Sequence, residues 1–169
     1  MPESDFQIGI WLSGNLFLQT TAQAMETIGI CSDHAGYELK ERVKAWLAEQ
    51  GITTKDFGCH SSESVDYPDF AHPLGSAIEQ GQLNRGISIC GSGNGISMVM
   101  NKYPHVRAAL CWTEEIARLA RQHNDANVLS LPARFISDEQ AKTILKTYLE
   151  TPFEGGRHKA RIDKIPIRK

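Results

Sequence analysis

The sequence predicts an α/β fold built on a five-stranded parallel sheet, and two observations carry that prediction. From Glu26 onward, short runs rich in Ile and Val alternate with longer segments of helical period, which is the order of βαβ units. Each run also stops at a polar or glycine-containing turn, as a buried strand does where it hands the chain to a helix.

Taken in order, the first strand is expected over Thr27–Cys31, ahead of the turn Ser32-Asp33-His34-Ala35-Gly36. Leu39, Val43, Trp46 and Leu47 then share one stripe of a helix that Gly51 can end. A second strand over Ile52–Phe57 leads into a serine-rich polar loop, Gly58–Pro68, which is long for a plain connection. The third strand, Gly86–Cys90, ends in a thiol and a glycine-rich turn that opens a helix. A fourth is expected over Val106–Cys111, followed by a helix that ends around Arg121–Asp125, and a fifth over Asn127–Leu131. The next helix begins on a Ser137 to Gln140 capping-box pattern and gathers Ile144, Leu145, Tyr148 and Leu149 on one face. These stripes read as core.

With 41% hydrophobic and 22% charged residues, the 169-residue chain has the balance of one globular domain large enough to bury a core. A formal net charge of −2 offers no broad positive field for nucleic acid, so an anionic ligand has to meet a local basic site. Cys31, Cys59, Cys90 and Cys111 are widely spaced with no Cys-x-x-Cys pair, and read as free thiols in a reducing, cytoplasmic compartment. Without that pair or a His-x-x-x-His spacing, no metal is expected.

The apolar stretch from Ile8 to Leu18, followed by Ala22-Gln23-Ala24, superficially copies a cleavable leader. The residues before it include Glu3 and Asp5 but no Lys or Arg, and Ser13-Gly14-Asn15 interrupt it, so a signal peptide is disfavoured. It is also too short and broken to span a bilayer. Residues 1–24 are therefore expected to be an extension ahead of a single domain over residues 25–169.

In an open parallel sheet, ligands gather at the carboxyl ends of the strands, so the chemistry is sought in the turns after them. The strongest signal is Cys90-Gly91-Ser92-Gly93-Asn94-Gly95-Ile96-Ser97. Alternate glycines let backbone N–H groups turn inward at a helix start, a field that favours an anion and would favour a thiolate at Cys90. The spacing Gly-x-Gly-x-Gly is not the dinucleotide fingerprint, so no nucleotide cofactor is expected. After the first strand, Asp33 is either a functional carboxylate or a helix cap, and His34 is either a ligand contact or a surface histidine. His123, in Arg121-Gln122-His123-Asn124-Asp125, either acts chemically or compensates a helix dipole. Arg157 and Arg161 stand four apart, so on a helix both guanidinium groups share a face, suited to a phosphate or simply to solvent.

Together these motifs form a pattern. Ser-Asp-His-Ala-Gly at 32–36, Asp-Tyr-Pro at 66–68, Cys-Gly-Ser-Gly-Asn-Gly-Ile-Ser at 90–97, Arg-Gln-His-Asn-Asp at 121–125 and Gly-Gly-Arg-His at 155–158 resemble the ribose-5-phosphate isomerase B and galactose-6-phosphate isomerase family, in family order and spacing. The resemblance runs from about Met25 to near the C-terminus and leaves out the first 24 residues.

It implies a Rossmann-like three-layer α/β/α sandwich that assembles as a homodimer or tetramer, with the active site at the dimer interface and neither metal nor nucleotide cofactor. The implied substrate is a small sugar phosphate. By the same resemblance, Cys90 is the base that takes the C2 proton, Ser92 stands where many members have Thr and helps move protons at the substrate oxygens, and the backbone of Gly91, Ser92, Gly93, Asn94 and Gly95 forms the anion hole for an enediolate. His123 matches the residue that opens the furanose ring, and Asp33, His34, Tyr67, Asn124, Arg134, Arg157 and Arg161 match positions that bind hydroxyls or phosphate. Two alternatives remain open at this point: a six-carbon substrate such as allose 6-phosphate or galactose 6-phosphate, and a non-catalytic sugar-phosphate-binding module.

Overall fold

Period-two alternation decides which side of the sheet each strand residue serves. In the computed structural model, which describes residues 26–167, the elements follow as β1 (Thr27–Ser32), α1 (Tyr37–Glu49), β2 (Thr53–Asp56), α2 (Tyr67–Glu79), β3 (Gly86–Cys90), α3 (Asn94–Met100), β4 (Ala108–Leu110), α4 (Glu114–Asn124), β5 (Val128–Pro132), α5 (Asp138–Glu150) and α6 (Arg157–Ile162). The expected extension over residues 1–24 lies outside the described residues. The five strands are all parallel, in the order β2-β1-β3-β5-β4.

Ile28 and Ile30 of β1, Ile87 and Ile89 of β3, and Leu129 and Leu131 of β5 face one side, where α1, α4 and α5 cover them with Leu39, Val43, Leu47, Ala117, Ala120, Ile144, Leu145 and Tyr148. On the other side Cys31, Cys90 and Val128 meet α2 and α3 through Ala71, Leu74, Ile78, Ile96 and Met100. Helices on both faces of one sheet make the Rossmann-like three-layer α/β/α sandwich that the motifs implied. Among the described residues no helix is long and apolar enough to cross a membrane.

Several boundaries differ from the sequence expectation: β1 ends one residue later, at Ser32, and β5 is shifted by one, to Val128–Pro132. Strands β2 and β4, the sheet edges paired on one side only, are shorter than predicted, although backbone bonds to the neighbouring strand run past both: Phe57 N–H donates to the Ile30 carbonyl and Cys111 N–H to the Ser130 carbonyl. The polar loop after β2 ends sooner than expected, since α2 begins at Tyr67. Asp66 is extended and Pro68 falls in the first turn, where its missing N–H removes no helical bond.

A charge cluster ties α1 to the end of β2. Lys40 is fully buried and donates to Asp56 at 2.6 Å and to Glu41 at 2.8 Å, while Lys44 reaches the same Asp56 oxygen at 2.7 Å. The other Asp56 oxygen accepts the Gly58 N–H at 2.9 Å, which fixes the start of the long loop. Burial pushes the Asp56 carboxyl up, but the bonds from Lys40, Lys44 and Gly58 outweigh it and hold the group below the usual carboxylate range.

Candidate active site

Strand β3 delivers Cys90 to the carboxyl edge of the sheet, where it is 5% exposed. The turn after it is tied to the end of β5, because Ala133 N–H donates to the Cys90 carbonyl at 2.9 Å and Arg134 N–H to the Gly91 carbonyl at 3.0 Å. Gly93 then reverses the chain at φ +74°, and a Cβ there would lie 2.3 Å from Leu110 Cδ1, so both backbone and space require glycine. That turn aims the Gly93 N–H back at Cys90 Sγ, 3.1 Å away. The Ser92 hydroxyl, in the same turn, accepts the Asn94 N–H at 3.3 Å.

Neighbouring strand ends supply the surroundings. Asp33 Oδ1 accepts the Gly36 N–H at 3.0 Å, so Asp33 does close the turn before α1, and its own N–H donates to Ile89 O on β3. His34 is half-buried, with Nδ1 3.2 Å from the Val65 carbonyl, which links it to the long loop. The Tyr67 ring lies across Gly95, where a side-chain carbon would stand 2.6 Å from its Cζ. Arg134 lays its guanidinium against Gly91, with Nη1 3.3 Å from where a Cβ would be. Asp33, His34, Tyr67, Cys90, Gly91, Ser92, Gly93, Asn94, Gly95 and Arg134 therefore collect at the carboxyl edge. Of the other thiols, Cys111 is pushed up to about 12 by burial and Cys31 further still, so neither offers a ready thiolate.

His123, Asn124, Arg157 and Arg161 do not join this group. In a βαβ unit each helix runs back against the strands, so the end of α4 lies at the amino edge of the sheet, opposite Cys90. The contacts agree: Arg107, just before β4, donates to the Asn124 carbonyl at 3.0 Å. Helix α6 packs against α4 at this end, with Glu154 N–H donating to the Gln122 carbonyl at 3.1 Å. Gly155 and Gly156, at φ +67° and +56°, turn the chain into α6 so that His158 and Ile162 face inward and Arg157 and Arg161 outward. The shared face expected for the two arginines is present.

Two residues at this edge were not singled out from the sequence. His158 stacks on His123, ring centroids 4.3 Å apart and planes 10° apart, and Glu154 Oε2 lies 3.6 Å from His158 Nε2 and 3.9 Å from His123 Nε2. The nitrogens and carboxylate oxygens of the three fall within 4.8 Å of one another. Stacked rings suit a shared metal poorly, because an ion in the plane of one imidazole stands well out of the plane of the other, and zinc needs about 2.0–2.1 Å along each lone pair. The only sequence signal for this trio was the presence of both histidines and the glutamate in the motifs at 121–125 and 154–158.

A small α/β protein with a strand-end cysteine over a glycine turn, and a histidine and arginine cluster at the far edge, is the class defined so far. The family model for "Ribose/Galactose Isomerase" matches residues 28–165. Ribose-5-phosphate isomerase B of Escherichia coli K12 is 42% identical over 141 residues, 83% of this chain and 95% of that protein. A structure of ribose-5-phosphate isomerase B from Clostridium thermocellum superposes with a TM-score of 0.81 at 47% identity, covering 82% of this chain and 94% of that one. The Mycoplasma genitalium enzyme, solved with bound ribulose-5-phosphate, gives 0.79 at 42% identity over 82% and 93%. The chain belongs to the ribose/galactose isomerase family.

Proposed function

We propose that the protein is an aldose-ketose isomerase interconverting ribose 5-phosphate and ribulose 5-phosphate through an enediolate, as a step of the non-oxidative pentose phosphate pathway in the cytoplasm. The observation that carries this reading is Cys90 at the end of β3, its sulfur 3.1 Å from the Gly93 N–H in the turn that also carries Ser92. The reaction needs a base at carbon, proton movement between two oxygens and stabilisation of a developing oxyanion. Cys90 takes the proton from C2 and returns it to C1, the Ser92 hydroxyl exchanges protons with the carbonyl and hydroxyl oxygens, and the N–H groups of Gly91 to Gly95 face the enediolate. Backbone donors of this kind are worth about 2.7–4 kcal/mol each at the transition state.

His123 opens the furanose ring and the arginines hold the phosphate, which requires a second copy of the chain. Because Cys90 and His123 lie at opposite sheet edges, a homodimer in which each copy lends its amino-edge cluster to the other's carboxyl edge brings them to one substrate. The large apolar side chains left exposed around the carboxyl edge, Trp112 at 49% and Phe135 at 71%, with Met98 of α3 at 64%, support a protein partner there.

The test is turnover of ribose 5-phosphate by metal-free protein, with allose 6-phosphate and galactose 6-phosphate run alongside. Preference for the pentose is expected. Preference for a hexose phosphate moves the substrate and keeps the mechanism, whereas no turnover of any of the three replaces the isomerase with a binding module.

A further inference from the structure

His158 is nearly out of solvent, yet among the described residues none of its ring nitrogens has a hydrogen-bond partner closer than the Glu154 carboxylate at 3.6 Å. Its ring lies flat on His123, and Glu154 reaches the Nε2 atoms of both. A stack this close admits one imidazolium but not two, since like charges at about 4 Å repel strongly in a partly dry setting.

We propose that His158, with Glu154, is a positioning residue for ring opening: it clamps the His123 imidazole in one orientation, so that His123 exchanges protons with the substrate from a fixed ring. The inference rests on the isomerase reading above. Ring opening breaks the C1–O4 bond, adds a proton to O4, removes one from the O1 hydroxyl and leaves a C1 carbonyl, so protons balance with no external reagent. The imidazole must give one proton and accept one, and a ring free to rotate would do so poorly.

The charges around the pair favour this division of labour. Burial lowers the proton affinity of His158, and His123, Arg157 and Arg161 lower it further, against the opposing pull of Glu154. His158 therefore stays neutral where an ordinary histidine would begin to charge, and His123 is the ring left to face the substrate. Arg157 and Arg161 of α6 and Glu154 of the preceding turn are the charged side chains that act on His158, and Glu154 also lies 3.9 Å from His123 Nε2.

Ribulose 5-phosphate provides the discriminating probe. Its carbonyl is at C2 and its O5 carries the phosphate, so no free hydroxyl can close a five-membered ring on it. Solvent deuterium exchange at its C1 uses the base and the enediolate but not ring opening, whereas turnover of ribose 5-phosphate uses all three. His158→Ala and the surface change Glu154→Gln are each expected to lower kcat for ribose 5-phosphate by about tenfold to hundredfold, a part of what a positioned acid or base supplies. KM should stay within about twofold, the acid limb of the pH profile should move, and C1 exchange should match the parent protein within about twofold. Glu154→Gln is half-exposed and keeps its shape, so it reports even if His158→Ala fails to fold. Equal losses in both assays, or an unchanged ribose 5-phosphate rate with Glu154→Gln, overturn the inference alone. Parent protein that performs neither reaction overturns the isomerase reading and the inference with it.

Discussion

Mixing two inactive variants should restore activity if Cys90 and His123 act on one substrate from different chains. Helix α4 separates the two edges of the sheet, and its 11 residues at 1.5 Å each make it about 16 Å long. Proton transfer needs groups within about 3 Å of the substrate atom, so no side-chain rotation closes that gap within one chain. Cys90→Ala should abolish turnover while leaving sugar-phosphate binding largely intact, and His123→Ala should cost roughly 10²–10⁴ in rate. When equal amounts are unfolded together and refolded, random pairing makes about half the dimers mixed, and each mixed dimer holds one site with both residues intact and one with neither. Specific activity should therefore return to about one quarter of the parent value, against near zero for each variant refolded alone. Native mass spectrometry of a tagged chain confirms that mixed dimers are present. If they are present and activity does not rise above that of each variant refolded alone, the sites are not shared and the argument from opposite sheet edges fails.

Three further outcomes follow from the interior. Asp56 is held below the usual carboxylate range when folded, so its contribution is fully present above the unfolded value of about 3.9 and is lost as pH falls through the folded one; urea midpoints should drop in that acid window, and Asp56→Asn, which strips the main partner from buried Lys40, should cost about 3–5 kcal/mol at pH 7. The Tyr148 hydroxyl is the one buried side-chain polar atom without a partner among the described residues, so Tyr148→Phe should leave Tm unchanged or raise it, and a loss of more than about 1 kcal/mol would show a missed bond. Iodoacetamide on native protein at pH 8 should leave Cys31 and Cys111 unmodified, since burial holds both as thiols, while any labelling at Cys90 should be blocked by sugar phosphate; peptide mapping that finds Cys111 labelled first refutes this.

Local signals set much of this protein. The Ser137 cap and Gln140 exchange the two bonds their spacing predicted, at 3.2 and 2.8 Å, because a capping box spans four consecutive residues. Cys90 falls at the carboxyl edge because an apolar run ending in a glycine turn places its last residue there in any parallel sheet. Arg157 and Arg161 share an exposed face for the same reason that His158 and Ile162 share a buried one, a period of 3.6. The tertiary structure alone decided which strands became edges. It also buried Lys40 on Asp56, laid His158 on His123, and set His123 and Cys90 at opposite ends of the strands. The two contacts join residues 16 and 35 apart in the chain, and all three arrangements depend on strand order and helix direction, which no window of local periodicity contains.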